Sequence, residues 1–361
     1  MSEQSARFYF DAAAHEPPSP AAVNAFREAL YLGNPSSLHA VGVHAKNCLE
    51  DARASIAQDL NCLPEEIYFT SGATESCNWM MTTLSAFTGE MPFPQHYEHH
   101  AVLEYPPVDH PHRTDRPGFT NMLANNETGE IYDIPALRAE HPGLFACDAT
   151  AAVGSIPVDF KSLGVDYLAF AAHKFGGIAG IGALVVKKDA PLLSMIRGGG
   201  QEHGKRGGTE SVALACAMAA ALHERMDNML SNMKRIARCR DLLIAYLLRF
   251  IPDTYVNGSY TIGDVVLRLP GNANLSFLGV ESQALVMALS AEGVYASSGS
   301  ACTSGEADGS YVLRAMGYPA NRARSAVRFT LPYTVTEDDV LGAVPLIVSA
   351  VENLRRLTPT P

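Results

Sequence analysis

The sequence predicts an α/β fold, and three observations carry that prediction. Continuous apolar runs of strand length recur at Ile67–Phe69, Leu144–Cys147, Tyr167–Phe170 and Gly182–Val186. Segments with helical spacing lie between and after them. A chain of 361 residues also exceeds one small module, so a large and a small domain are expected. Unbroken apolar strands suit a mixed, mostly parallel sheet covered on both faces.

The elements follow in order. Gly33-Asn34-Pro35-Ser36-Ser37 reads as a loop that ends in a helix cap. Leu38, Val41, Ala45, Cys48, Leu49, Ala52 and Ile56 then fall at helical spacing. The strand at Ile67–Phe69 is broken by Ser71-Gly72-Ala73-Thr74-Glu75-Ser76, and a second helix starts near Glu75. The next two strands end at Asp148 and near His173-Lys174. Helical text runs from about Glu210 past Met226 and on to about Phe250. From Asp264, short strands alternate with helices, and Thr336-Glu337-Asp338-Asp339 reads as a capping box for the last helix. A boundary near 226–236 gives a large domain of 14–232 and a small domain of 1–13 with 233–361.

Composition narrows the function. With 47% hydrophobic and 18% charged residues the chain is ordinary globular protein, not a disordered or fibrous one. A net charge of -11 makes direct nucleic-acid binding a poor expectation. No apolar run approaches a membrane span, and the first residues lack the pattern of a secretory signal. Seven cysteines, an odd number without a CxxC pair, point to a reduced cytoplasm rather than a disulfide framework. The histidines 96, 99, 100, 110 and 112 have no ligand framework around them, and no metal is expected.

Ligands of open α/β sheets sit beyond the carboxyl ends of strands. Three such ends here carry polar groups. Thr70–Ser76 is a strand, a small-residue turn and a helix start, which makes a seat for phosphate. Asp148 is a carboxylate at the end of a buried strand, suited to a cationic ring nitrogen. Lys174, beside glycines at another strand end, can be a Schiff-base lysine. Each has a bland alternative as a cap or a solvated side chain. Together they are the parts of a pyridoxal 5'-phosphate site.

At this point the sequence resembles the cysteine desulfurases of the NifS/IscS group, class V aminotransferase-fold proteins. The motifs are YFDAAA (9–14), GNPSSLH (33–39), FTSGATES (69–76), NNETG (125–129), DAT (148–150), AHK (172–174), GGGQEHGKRGGTE (198–210), SSGSACTSG (297–305) and RFTL (328–331). The resemblance implies the fold type I of pyridoxal-phosphate-dependent transferases, with a smaller α/β C-terminal domain and a homodimer. It implies that Lys174 binds the cofactor covalently, that Asp148 pairs with its ring nitrogen, and that His99 stacks on the ring and moves protons. It further implies that Ala73, Thr74 and His173 hold the phosphate and Thr209 reaches that of the partner subunit. Asn126 lies near the ring hydroxyl, and Asn34 and Arg328 bind the substrate carboxylate. Cys302 would take sulfur from L-cysteine, leave L-alanine and pass the persulfide to an acceptor protein. That acceptor could serve iron–sulfur assembly, tRNA thiolation or DNA phosphorothioation.

The sequence departs from the family at three places. Ala151 stands where a glutamine usually bonds the ring hydroxyl, and Ala171 where a serine usually bonds the phosphate. Weaker cofactor retention is expected, at about 0.5–3 kcal/mol for each lost hydrogen bond. Between His99 and Asn126 the usual extra strand and helix are missing. The stretch Tyr105–His112 is rich in Pro and His and reads as a loop that trims one edge of the large domain. Two rival functions remain: a cysteine C–S lyase releasing pyruvate, which would not need Cys302, and a non-catalytic scaffold.

Overall fold

The structure is a computed structural model describing residues 8–88, 92, 94–105, 118–299 and 309–357. It divides into two compact units. The larger comprises Pro17–Ala124 and Tyr132–Met229; the smaller comprises Met1–Glu16, Asn125–Ile131 and Leu230–Pro361. The segment Asn125–Ile131 therefore groups with the smaller unit, whereas sequence boundaries of 14–232 leave it in the larger domain. Its backbone bonds are the reason. Ile131 N–H donates to Leu267 O at 2.9 Å, and Leu269 N–H donates to Gly129 O at 2.8 Å. A turn this short has no apolar period from which such a placement could be read.

In chain order the strands are β1 (Phe8–Tyr9), β2 (Ile67–Thr70), β3 (Phe119–Thr120), β4 (Phe145–Asp148), β5 (Tyr167–Ala171) and β6 (Gly182–Val186). There follow β7 (Thr254–Val256), β8 (Asn272–Phe277), β9 (Val294–Tyr295), β10 (Ser297–Ser298) and β11 (Ala326–Thr330).

The larger unit holds a sheet in the order β2-β6-β5-β4-β3. β3, β4 and β5 pair in parallel, and β6 is antiparallel to both β2 and β5. Four strands thus run one way and β6 opposes them. Every residue of β4, β5 and β6 is buried, which is why these strands read as unbroken apolar runs. The helix Ala73–Thr88 packs Trp79, Met80, Met81 and Leu84 against Tyr167, Ala169 and Leu184. Each such side chain contributes about 1.5–3 kcal/mol by burial.

Because β2, β4 and β5 run the same way, their carboxyl ends share one edge of the sheet. Gly182 opens β6 at that edge, paired with Thr70 and Ala171. A Cβ there would lie 2.7 Å from the Gly72 backbone, so a glycine lets the turn after β2 close onto the sheet. Among the described residues β3 is the end strand on its side. Most of the Pro/His stretch expected as a loop, residues 106–117, lies outside the described residues.

The smaller unit carries the antiparallel sheet β10-β11-β8-β7, and β1 pairs with β9. Leu243, Leu247, Leu275, Phe277, Val327, Phe329, Ile347 and Val351 form part of its core. Its last helix, Glu337–Leu357, opens as the sequence pattern predicts. Thr336 N–H donates to Asp339 Oδ2 at 2.8 Å, and Asp339 N–H donates to Thr336 Oγ1 at 3.2 Å.

The first long helix starts later than its spacing suggests. It spans Ala40–Asp59, and Leu38 and Val41 are exposed. The cap is His39, whose Nδ1 accepts from Gly42 N–H at 3.3 Å, rather than a serine of the preceding loop. The helical text from 210 to 250 resolves into two helices, Val212–Asp227 and Met229–Phe250. Among the described residues no helix is long and apolar enough to cross a membrane.

Candidate active site

Asp148 ends β4 and is buried. Its Oδ1 accepts Thr150 N–H at 2.9 Å, and the Cys77 thiol donates to the same carboxylate. Cys77 lies on the helix Ala73–Thr88. Burial pushes its thiol well up, and the carboxylates of Asp148 and Glu98 add to this, so Cys77 keeps its proton. Cys147, one residue before Asp148, is buried and pushed up in the same way.

Glu98 is fully buried beside this group. Burial, and then the Asp148 charge, hold its carboxyl well above the usual carboxylate range. Hydrogen bonds from Thr120 and from the Met122 backbone oppose the shift without overcoming it. Glu98 therefore holds its proton more strongly than an ordinary carboxyl does.

His99 follows. Its Nδ1 accepts Ala101 N–H at 3.1 Å and so caps the short helix His100–Leu103. The remaining ring proton is therefore on Nε2. Burial lowers its pKa; Asp148 works against this, and Lys174 and His100 reinforce it. The imidazole is neutral at pH 7. Lys174 closes the turn Ala172–Lys174 that follows β5, is half-buried, and is near enough to His99 for its charge to register.

The turn after β2 presents the first N–H groups of the helix Ala73–Thr88, including those of Ala73 and Thr74. A Cβ on Gly72 would meet nothing within 4 Å, so this turn faces open space. Glu75 Oε2 accepts Ser71 N–H at 2.7 Å, and Arg206 Nε donates to Glu75 Oε1 at 2.9 Å. Burial pushes the Glu75 carboxyl up, but the bonds from Arg206 and Ser71 outweigh it and leave it below its ordinary value. Arg206 thereby ties the segment 198–210 to the turn. In that segment Glu202 is buried in a bidentate pair with Arg53, at 2.9 and 3.0 Å, and Thr209 is exposed. Asn34 is also exposed, with its Oδ1 accepting Ser36 N–H at 2.9 Å.

The smaller unit supplies Asn126 and Arg328. Arg328 lies in β11, opposite Ser297 in β10 and Asn274 in β8. Its Nη1 donates to Asn126 O at 2.9 Å, and its Nη2 lies 3.0 Å from Asp11 Oδ1. Arg328 Nε and Asn126 Oδ1 are both buried, and neither has a hydrogen-bond partner among the described residues. Cys302 lies outside the described residues.

The larger unit therefore gathers His99, Asp148 and Lys174 with His173 adjacent in the same turn, and the smaller unit brings Asn126 to Arg328. The class-V aminotransferase family model matches residues 8–105 and 119–341. The chain belongs to the class-V aminotransferase family. Its match breaks where the Pro/His stretch stands. A cysteine desulfurase IscS of Dictyoglomus turgidum is 36% identical over 363 residues, covering 91% of this chain and 89% of the relative. An IscS-like cysteine desulfurase of Mycobacterium tuberculosis is 36% identical over 386 residues, covering 96% and 97%. A solved NifS-like protein matches with a TM-score of 0.85 at 28% identity, over 96% of this chain and 100% of its own. Within the family the chain groups with the NifS/IscS cysteine desulfurases, and it has their fold type I architecture.

Neither Glu98 nor Cys77 stands out in the sequence as a site residue. Glu98 is adjacent to His99 in the chain, and an acid beside a family histidine was the available signal. Cys77 faces Asp148 only through the packing of a helix on the sheet. Among the described residues no cluster of three His, Cys, Asp or Glu side chains could hold a metal ion.

Proposed function

We propose that this chain binds pyridoxal phosphate and acts as an L-cysteine desulfurase, carrying sulfur as a persulfide on Cys302 to an acceptor protein. One observation supports this most strongly: a buried carboxylate, a neutral histidine and a lysine meet at the carboxyl edge of one sheet. The donor set fits the cofactor. Lys174 would hold it covalently, with Asp148 at the ring nitrogen and His99 on the ring face. Ala73, Thr74 and His173, with Thr209 of a second copy, would hold the phosphate at a helix N-terminus. The unpartnered Asn126 Oδ1 is an acceptor suited to a ring hydroxyl. When bound, the cofactor supplies an electron sink for charge developing on the substrate carbons.

The chain's own residues do the rest. Arg328, with Asn34, would orient the substrate carboxylate, and Arg328 Nε is a donor with no partner among the described residues. His99 holds a transferable proton at Nε2. The Cys302 thiolate would attack the substrate sulfur. The carbon–sulfur bond breaks, a sulfur–sulfur bond forms, and the electron pair left on carbon takes up a proton to give L-alanine. No outside oxidant is required, because the sulfur leaves its bonding electrons on the carbon.

A homodimer is part of this proposal. Leu30, Tyr31, Leu38 and Val41 are exposed around the Asn34 loop, apolar surface of the kind a second copy covers. The net charge of -11 favours sulfur delivery to a protein rather than to nucleic acid directly. The free thiols among the described residues suit a reducing cytoplasm.

The test is a product assay with the protein, pyridoxal phosphate, L-cysteine and a reductant. Alanine equal to sulfide, with both lost in Cys302→Ala, is the expected result. Pyruvate in place of alanine would make the protein a C–S lyase. No product from cofactor-loaded protein would make it a scaffold.

A further inference from the structure

Residues 300–308 carry Cys302, and the positions where that segment leaves and rejoins the fold are both described. It leaves at Gly299, after β10, and rejoins at Gly309 and Ser310, which opens the helix Tyr311–Ala315. The two stems touch: a Cβ on Gly299 would lie 3.0 Å from Ser310 Cβ. Gly309 is fixed as glycine by φ +78° and by the Ala323 backbone, 2.5 Å from its virtual Cβ.

One carboxylate stands at this neck. Glu127 is 1% exposed. Its Oε2 accepts the Ser310 hydroxyl at 2.5 Å, and a Cβ on Gly299 would come within 2.4 Å of the same oxygen. Ser310 Oγ accepts Leu313 N–H in turn, so the helix cap and the carboxylate share one hydroxyl. Glu127 is itself anchored. Its carbonyl accepts from Asn272 Nδ2 and Asn274 Nδ2, each at 3.1 Å, and its N–H donates to Asn125 Oδ1 at 2.9 Å. Asn274 lies opposite Arg328 across β8 and β11, and Arg328 bonds the carbonyl of Asn126 next door.

A buried carboxylate is a costly way to fill space, and an apolar side chain would pack the neck at less cost. What the carboxylate adds is direction: one oxygen meets both stems, and the residue's backbone is fixed to the strands beside Arg328. We infer that Glu127 is a positioning residue for sulfur transfer, holding both stems of the Cys302 segment in register with the arginine that binds the substrate. The inference rests on the assignment of Cys302 as sulfur carrier.

The experiment uses the cofactor-loaded protein as wild type, Glu127→Ala, Glu127→Gln, Ser310→Ala, Gly299→Ala and the double variant Gly299→Ala/Glu127→Ala, with Cys302→Ala alongside. Two readouts are taken: the absorbance change of the cofactor on adding L-cysteine, and the first-turnover rate of persulfide formation on Cys302 by alkylation and mass analysis. In Glu127→Ala the absorbance response should keep its half-saturation, while persulfide formation slows by about 10- to 100-fold, the scale of an ångström-sized misplacement. Glu127→Gln keeps an oxygen for Ser310 and should recover most of the rate. Gly299→Ala should slow the wild type and add much less in the Glu127→Ala background, where the oxygen it would strike is gone and only the 3.0 Å approach to Ser310 Cβ is left.

Persulfide formation within twofold of wild type in both Glu127→Ala and Ser310→Ala overturns the inference. So does a parallel loss of the absorbance response, which would mark a general structural role. If Glu127→Ala does not fold, Ser310→Ala decides, because it keeps the carboxylate and removes only the hydroxyl bridge. Alanine and sulfide still formed by Cys302→Ala would overturn the Cys302 assignment, whatever the Glu127 variants do.

Discussion

At the carboxyl end of β4, Asp148 is held from every side. Its carbonyl accepts Leu123 N–H at 2.8 Å, Ala149 N–H donates to Ala169 O at 2.9 Å, and its carboxylate takes a backbone N–H and a buried thiol. At Gly299 and Ser310 the described stems meet over a single carboxylate, that of Glu127. The first arrangement fixes a carboxylate at the end of a buried strand; the second joins two backbone positions that flank Cys302 in the chain. The difference matches the two tasks proposed for these regions. A charge that tunes a ring nitrogen is useful only if it stays still. A sulfur carrier must serve two positions, the substrate and the acceptor.

Breaking the first region should have the largest effect. Asp148→Asn keeps the shape and removes the charge. Turnover of L-cysteine at saturating cofactor should fall about 10²- to 10³-fold, the scale of losing one preorganised electrostatic partner. Unlike the Glu127 variants, it should also change the absorbance of the bound cofactor before any substrate is added. Equal spectra in Asp148→Asn and wild type would show that Asp148 does not face the ring.

Glu98 sharpens the comparison through pH. Burial first, and then the Asp148 charge, raise its folded pKa, so the folded state holds a proton that the unfolded state has released. Its contribution to stability is full below the ordinary carboxyl pKa and declines as pH rises toward the folded pKa. The decline is at most about 1.4 kcal/mol per pH unit for one proton. Glu98→Gln keeps the neutral shape and has no proton to lose. Its thermal midpoint relative to wild type should therefore rise as pH increases from 5 toward the folded pKa of Glu98. Cys77 and Cys147 stay protonated here, and the slope of His99, whose lowered pKa acts in the opposite direction, is shared by both proteins and cancels in the difference. A constant difference over those pH values would mean that Glu98 is ionised in the folded protein.

These residues mark how far the sequence could be read. The strand Gly182–Val186 was legible to the residue, because an unbroken apolar run between turn signals has one reading. The Thr336–Asp339 box was legible for a similar reason: both partners of its bonds lie three residues apart. Asp148 and Lys174 were legible as strand-end polar groups. Glu127 was not, although it stands inside a motif that was noticed. Its partner Ser310 is 183 residues away, and no local pattern encodes that meeting. Cys77 and Asp148 likewise meet only once a helix has packed on the sheet. Long-range polar contacts depend on topology, and periodicity carries none of that information.

The smallest effects should come from the two alanines, and they should differ in kind. Ala171 ends β5, is fully buried and pairs with Gly182. Ala151 is half-buried in the turn after Asp148, next to Thr150, whose buried Oγ1 has no partner among the described residues. A glutamine at 151 therefore enters a site that is not closed. Ala151→Gln should leave the cofactor-free protein's thermal midpoint nearly unchanged and tighten cofactor binding by about 2- to 10-fold, the worth of one ordinary hydrogen bond. A serine at 171 puts a hydroxyl into a closed site. Without a phosphate to bond, that hydroxyl costs about 1–3 kcal/mol; with one, most of the cost is recovered. Ala171→Ser should therefore melt lower than wild type without pyridoxal phosphate and gain more than wild type when it is added. Thermal unfolding of both variants with and without the cofactor reads this directly. If the added cofactor raised all three midpoints equally, neither alanine would lie against it, and the expected weak retention would need another cause.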